Sequence, residues 1–527
     1  MMSDKTGRCL RWRGNFRRTA AALLAVFMIF PNLTTAFAEQ KPNEIPDAEI
    51  LLVFDSTAGV SDNTQIGKIA DTLTYLGYKV SYSKTENTYG QLTRFSNLLY
   101  YHNGSDDPKF LEELKRSSCK VMEFGDGDMT QLADALGVSA DFDEIGGSSA
   151  EVTYTLPGES EISELYSVDK AFLAQGTFTY TSGKVEAEGK TAAYCVRSGR
   201  FGHIALYDND DSLIRAAFVK EVQLWMWPYN DLPHSYAQFV VFSNVYPFFD
   251  NQHLLDVFDM LHNMGIPYVI DAMPVYSHTD YPAMKRFCEL LTYAQSKGGA
   301  VILQAPLSDS DTVDKATVLK EINSAISAYC SYGVYPVGLS APSSWMYDED
   351  GLAVLRRFSL LVFSEDKNSG WSESITNNTI YADGHQLVMP SVSVESETSS
   401  AISAYSTAVD LDITEDLDTL KSQIQALQRS GMVLKDLWSI NHSVYTDTDA
   451  IIYKNGTLYL NNSIVPLSFT PFKYDDNFDY KRGVIASIAM DLSGENSQLV
   501  KAVFFISILL TIFIILARLN NKRRFFH

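Results

Sequence analysis

The feature that most constrains this chain is an alternation. From Phe239 onward, short apolar runs trade places with helical stretches closed by glycine. FVVF is followed by NQHLLDVFDMLHNMG, and IPYVIDAMPVY by YPAMKRFCELLTYAQSKGG. AVILQAP is followed by TVLKEINSAISAYCSYG, YPVGLSAPSS by DGLAVLRRF, and the series reaches SLLVFSE. Apolar runs without polar alternation suit strands buried on both faces, and helices between them suit parallel crossovers. Sustained over more than a hundred residues, this pattern predicts a (β/α) barrel or a close variant. In such folds, sites are built where the strands open into loops at their C-terminal ends.

A second, smaller alternation precedes it. AEILLVFDS, KVSYSK, FSNLLYYHNG and CKVMEFGDGD read as strands with helical stretches among them. Residues 45–140 are therefore expected to form a small doubly wound, flavodoxin-like α/β domain. Its strand ends carry Asp55, Ser56, His102, Asn103, Asp126 and Asp128. These suit a site at the sheet edge, and equally the turns and caps that such residues commonly build. No GxGxxG or Walker pattern is present, so no nucleotide is implied. Residues 150–207 carry short alternating strands around Gly turns and read as a small antiparallel β segment. The helical stretch LIRAAFVKEVQLWMWPY then leads to the barrel, expected over 213–465. Within it, 366–405 is Ser/Asn-rich and reads as a long excursion. A last helix, EDLDTLKSQIQALQRSGM, and a hairpin around Asn455-Gly456 follow.

Both ends point to a membrane. Basic residues precede an apolar run, Ala20 to Phe30, then Pro31 and Ala36-Phe37-Ala38. That is the pattern of a secretory signal peptide, 1–38, with an uncleaved anchor helix as the alternative. Residues 466–498 read as a juxtamembrane linker. From Ala502 to Ala517 there is no charge; with its flanks, 499–518 reaches the ~20 residues a bilayer needs. Arg518, Lys522, Arg523 and Arg524 follow, which places the tail 519–527 in the cytoplasm and the body outside.

The formal net charge is −22. Residues 1–38 carry six basic and one acidic residue, so the remainder stands at −27; without the four basic tail residues it is −31. A body this acidic excludes nucleic acid as partner and tolerates cationic ones, such as an amino-sugar polymer. Cys119, Cys195, Cys288 and Cys330 are widely spaced without a CxxC, which argues against a disulfide scaffold, though a Cys288–Cys330 bridge stays open.

The order FSNVYPFFD, GIPYVIDAMPVY, YPAMKRFCELLTYAQSKGGAVILQAP, PVGLSAPSSW and LWSINHS resembles the polysaccharide deacetylase superfamily, in particular an uncharacterised bacterial branch. The likeness covers about residues 235–465. It implies a distorted barrel with a metal, usually zinc, at the strand ends. It also implies an Asp-Asp pair after the first strand, an H-x-x-x-H ligand pair after the third, and a late His. One Asp would activate a metal-bound water and the late His would protonate the departing amine. This chain departs at the decisive places. Ser243 and Asn244 stand at the Asp-Asp positions, and Gln304 and Ser308 at the ligand-His positions; only His442 remains. Hydroxyls and amides make neither a tight divalent-metal site nor a base at neutral pH.

The expectation is a membrane-anchored extracellular pseudoenzyme with no cofactor, binding or guiding a cell-surface or exported polysaccharide beside synthesis or export proteins. Tyr246, Phe248, Tyr276, Trp345 and Tyr347 are its candidate glycan-contacting rings, with Phe249 near them. Two alternatives stay open. One is an active deacetylase whose metal sits on relocated ligands, with Asp250, Asp271, His278 and His442 as candidates. The other is a scaffold subunit of an envelope complex.

Overall fold

The computed structural model describes residues 49–471, apart from 56–59, 105–106, 157–159, 227–235, 307–313, 365–378, 382–386, 395–403 and 431. The signal peptide expected at 1–38, the span and tail expected at 499–527, and the linker expected at 466–498 from residue 472 onward lie outside the described residues. Among the described residues, no helix is long and apolar enough to cross a membrane.

Two parallel systems organise the chain. The first begins with β1 (Glu49–Phe54), β2 (Lys79–Lys84), β3 (Asn97–Tyr101) and β4 (Lys120–Phe124). Their side chains are buried on both faces, which is why they read as unbroken apolar runs. Helix Pro108–Arg116 shows the local logic. Asp107 caps it by accepting from the Lys109 N–H, Pro108 opens it, and Phe110, Leu111 and Leu114 turn inward.

β5 (Asp141–Thr155) and β6 (Glu161–Gln175) form a long hairpin that pairs with β8 (Lys184–Ala187) and β9 (Lys190–Ala192) in a separate sheet. β7 (Tyr180–Ser182), β10 (Cys195–Ser198) and β11 (Phe201–Ile204) do not stay with this β segment as the sequence suggests. β11 runs parallel beside β4, β10 pairs antiparallel with β11, and β7 pairs antiparallel with β10 at the sheet's edge.

The second system is a closed, all-parallel, seven-stranded barrel. Its strands are β12 (Gln238–Val245), β13 (Val269–Ala272), β14 (Ala300–Gln304), β15 (Leu339–Pro342), β16 (Leu360–Ser364), β18 (Leu387–Ser393) and β19 (Thr407–Asp412). Pairing of β12 with β19 closes it. The expected alternation holds through β16. The last two strands come from residues that read as excursion or went unread, because LVMPSVS contains Pro390 and TAVDLD alternates apolar with acidic.

Between β16 and β18 the chain leaves the barrel. β17 (Thr379–Tyr381) pairs antiparallel with β2 at the edge of the first sheet. A second tie is Tyr347, whose hydroxyl donates to Asp71 on helix Val60–Tyr75. After the barrel come helix Leu417–Arg429 and a four-stranded sheet of β20 (His442–Tyr445), β21 (Ala450–Lys454), β22 (Thr457–Leu460) and β23 (Ser463–Ile464). This part sits under the N-terminal ends of the barrel strands. Gln238 exchanges backbone hydrogen bonds with Val433 and Lys435, Ser359 N–H donates to Ser443 O, and Trp438 Nε1 donates to Gly299 O at 3.1 Å.

Among the described residues Cys119, Cys195, Cys288 and Cys330 are free thiols.

Candidate functional site

Alternate residues of each barrel strand point inward. The lower layers are apolar, made by Phe239, Val241, Ala300, Ile302, Leu360, Val362, Met389 and Ala408 over Leu437. At the C-terminal ends the lining changes character, and every strand contributes one polar side chain. These are Ser243 from β12, Asp271 from β13, Gln304 from β14 and Ser340 from β15. Ser364 from β16, Ser391 from β18 and Asp410 from β19 complete the ring. Together they line a cavity of about 140 Å³, with Ala305, Ala341 and Pro342 among its apolar walls.

A bulge shapes one side. Phe242 pairs with Ile270 and Val245 with Ala272, so Ser243 and Asn244 together oppose Asp271. Asn244 takes the left-handed conformation, φ +61°, which Asn tolerates better than most residues. Both bulge residues serve carboxylates of the neighbouring strand: Ser243 hydrogen-bonds Asp410 through its hydroxyl and backbone N–H, and the Asn244 side chain bonds Asp412. Ser243 and Asn244, which the resemblance aligns with an Asp-Asp pair, thus lie beside an Asp-x-Asp on the adjacent strand.

The two cavity acids are perturbed. Burial pushes the Asp271 carboxyl up to about 7; the Ser340 hydroxyl works against this and the nearby Asp410 adds to it. Asp410 is also raised, by burial foremost, with Ser243 opposing and Asp412 reinforcing. Asp412 goes the other way. Its partial burial is outweighed by hydrogen bonds from Thr414 and Asn244, which hold it below the usual carboxylate range. Both Asp271 Oδ1 and Asp410 Oδ1 are buried without a hydrogen-bond partner.

The relocated metal set is not brought together. Asp271 lines the cavity, but Asp250 is the N-cap of helix Asn251–Met264, accepting from Gln252 N–H at 2.9 Å. His278 is exposed in a left-handed turn, φ +54°, against the Tyr281 ring. His442 lies at the opposite end of the barrel, beneath the apolar layers. It is stacked on Tyr453 with centroids 4.9 Å apart, and burial lowers its pKa to about 4 against the pull of the Ile440 carbonyl. It therefore has no access to chemistry at the mouth. Among the described residues, no three His, Cys, Asp or Glu side chains converge to hold a metal. The donor set does not fit zinc, since the cavity lining offers two carboxylates, hydroxyls and one amide, with no imidazole or thiolate. Ser308 lies outside the described residues.

The aromatic candidates divide. Phe248 is 82% exposed and Tyr276 44% exposed, on the loops that follow β12 and β13. Tyr246 meets Phe249 edge-on in the first of these loops. Trp345 and Tyr347 are buried and belong to packing rather than to a groove. Gly351 lies so close over Trp345 that a Cβ there would meet its carbonyl at 2.6 Å, and Tyr347 reaches Asp71. In the first sheet the candidates build local structure. Asp55 accepts from Tyr100 Oη and from the N–H groups of Asn103 and Gly104, and Asp128 accepts from Thr130. His102 is buried and stacked on Tyr100 at 4.9 Å. Ser56 lies outside the described residues.

Sequence reasoning missed Asp410, Asp412, Ser340, Ser364 and Ser391. Their signal is a polar residue at or near the C-terminal end of each strand.

No family model and no curated protein sequence matches the chain. Among solved structures, a CE4 family pseudoenzyme from Bacillus anthracis is 8% identical, covers 40% of this chain and 66% of its own, and gives a TM-score of 0.25. A peptidoglycan N-acetylglucosamine deacetylase is 11% identical, over 39% of this chain and 86% of that one, with a TM-score of 0.23. A β-galactosidase from the psychrophilic Marinomonas ef1 is 12% identical over 34% of this chain, with a TM-score of 0.25, and this chain spans 29% of its length.

Proposed function

We propose that this chain is a membrane-anchored extracellular protein whose barrel mouth binds a sugar unit of a cell-surface or exported polysaccharide without deacetylating it. One observation carries the reading. The seven strands present a closed ring of hydroxyl, amide and carboxyl side chains around a cavity of about 140 Å³. A sugar ring, dense in hydroxyls, suits such a ring of donors and acceptors. Phe248 and Tyr276, exposed on the loops above, suit the apolar faces of further sugar units along a polymer. The donor set argues against zinc-assisted amide hydrolysis, because the positions that would carry ligands and base are Ser243, Asn244 and Gln304. The C-terminal apolar segment would hold the body at the membrane surface beside synthesis or export proteins.

A second reading is favoured by one specific observation. Asp271, raised to about 7 beside Asp410, has the protonation of a general acid. It would make the mouth a metal-independent hydrolase of glycosidic bonds.

The test is a glycan array probed with the full chain in detergent, with acetate and reducing-end release measured on every glycan bound. Binding with neither product is expected. Acetate release overturns the main reading, and reducing ends without acetate establish the second. No binding to any glycan leaves the scaffold alternative.

A further inference from the structure

We infer that the unit held in the barrel cavity presents a protonated amine to Asp271 and Asp410. The inference rests on the glycan reading of the barrel mouth and narrows it to one class of sugar.

Asp271 is 6% exposed. Its Oδ1 has no partner within the protein, and the same is true of Asp410 Oδ1. Ser340 and Ser243 serve these carboxyls, so the groups are positioned by the barrel yet incompletely satisfied by it. Both acids face the same cavity, and none of the described residues lining it is Lys, Arg or His. Two acids that line one cavity thus each keep a buried acceptor oxygen without a protein partner, and the described lining brings no cation.

Buried acceptors that go unmet are costly, and carboxylates are satisfied best by charged donors. A hydroxyl brings one donor and no charge. An ammonium brings three donors and one positive charge, enough to bridge both acids and still reach a neighbour such as Ser391 or Gln304. Among the described residues no three His, Cys, Asp or Glu side chains converge to hold a metal, and serine hydroxyls are not the usual ligands of a hard divalent cation. Reach is also favourable: the net charge of −22 draws a polycationic chain toward the surface.

The experiment uses the full chain in detergent and three probes, measured by titration calorimetry. The probes are a glucosamine trisaccharide, its fully N-acetylated counterpart and the glucose trisaccharide. The amine form is expected to bind at least about ten-fold tighter than either neutral form. Asp271→Asn and Asp410→Asn should each remove most of that preference, bringing the affinities for the three probes to within about two-fold of one another. Gln304→Glu adds a carboxylate to the ring and should increase the preference, which tests the idea even if an Asn variant folds poorly. Equal affinity for the three probes overturns the inference and leaves the glycan reading standing. Binding of none of them overturns both. Tight calcium binding that is lost in Asp271→Asn overturns the inference in favour of a metal.

Discussion

Asp55 and Asp271 occupy equivalent places in two parallel sheets. Each stands at or near the C-terminal end of a strand, and each is almost wholly buried, at 4% and 6% exposure. Their surroundings differ in one respect. Asp55 is surrounded by donors: Tyr100 Oη at 2.5 Å, Asn103 N–H at 2.8 Å and Gly104 N–H at 2.7 Å. Asp271 has the Ser340 hydroxyl, a second acid beside it and an oxygen without a partner. The first carboxylate is used up in holding the loop after β3. The second is held by Ser340 and lines a cavity. Burial alone does not mark a site; what distinguishes Asp271 is that it also lines a cavity.

The largest effect should come from breaking the satisfied side. Asp55→Ala strands two N–H groups and a buried hydroxyl and should cost about 4 kcal/mol in chemical denaturation. A loss under about 1 kcal/mol would mean that the loop does not depend on it.

Next comes the unsatisfied side, with the opposite sign. The folded pKa of Asp271, about 7, lies above the usual carboxylate range that it has when unfolded. The folded state then binds the proton more tightly than the unfolded one. Its contribution is fully present below about pH 4, is lost as pH rises toward 7, and is flat above. Asp271→Asn should therefore stabilise the protein at pH 8 by about 2–4 kcal/mol, and by little at pH 4. Destabilisation at pH 8 would show that Asp271 is a structural group like Asp55.

Smaller still is the tie between the two sheets. Tyr347→Phe removes the hydrogen bond to Asp71 and should cost about 1 kcal/mol, read from the denaturation midpoint. The smallest effect sharpens the contrast between the barrel's two ends. His442→Gln should leave affinity for any glycan probe within about two-fold, because the apolar layers separate it from the mouth. A larger change would put the late histidine back in the site.

The barrel was largely legible because β12, β14 and β16 are buried on both faces over most of their length and announce themselves as apolar runs. β18 and β19 were not, for the same reason that makes them interesting: their inward positions include Ser391 and Asp410, so the apolar run is broken. The bulge positions Ser243 and Asn244 were found through a resemblance. Their carboxylate partners were missed because Asp410 and Asp412 lie about 170 residues downstream and become neighbours only when the last strand closes onto the first. His442 failed differently. A motif gives order along the chain, and the sheet that carries this residue turns under the barrel instead of over it.

The excursion that carries β17 has a consequence for biosynthesis. Thr379 pairs with Ser81, 298 residues earlier. On a ribosome the N-terminal sheet emerges early, yet the outer edge of β2 has no partner until most of the barrel has been made. For that interval it presents unpaired backbone groups to solvent and to other nascent chains. Completion of the first sheet is thus a late event, which waits on the synthesis of β12 to β16.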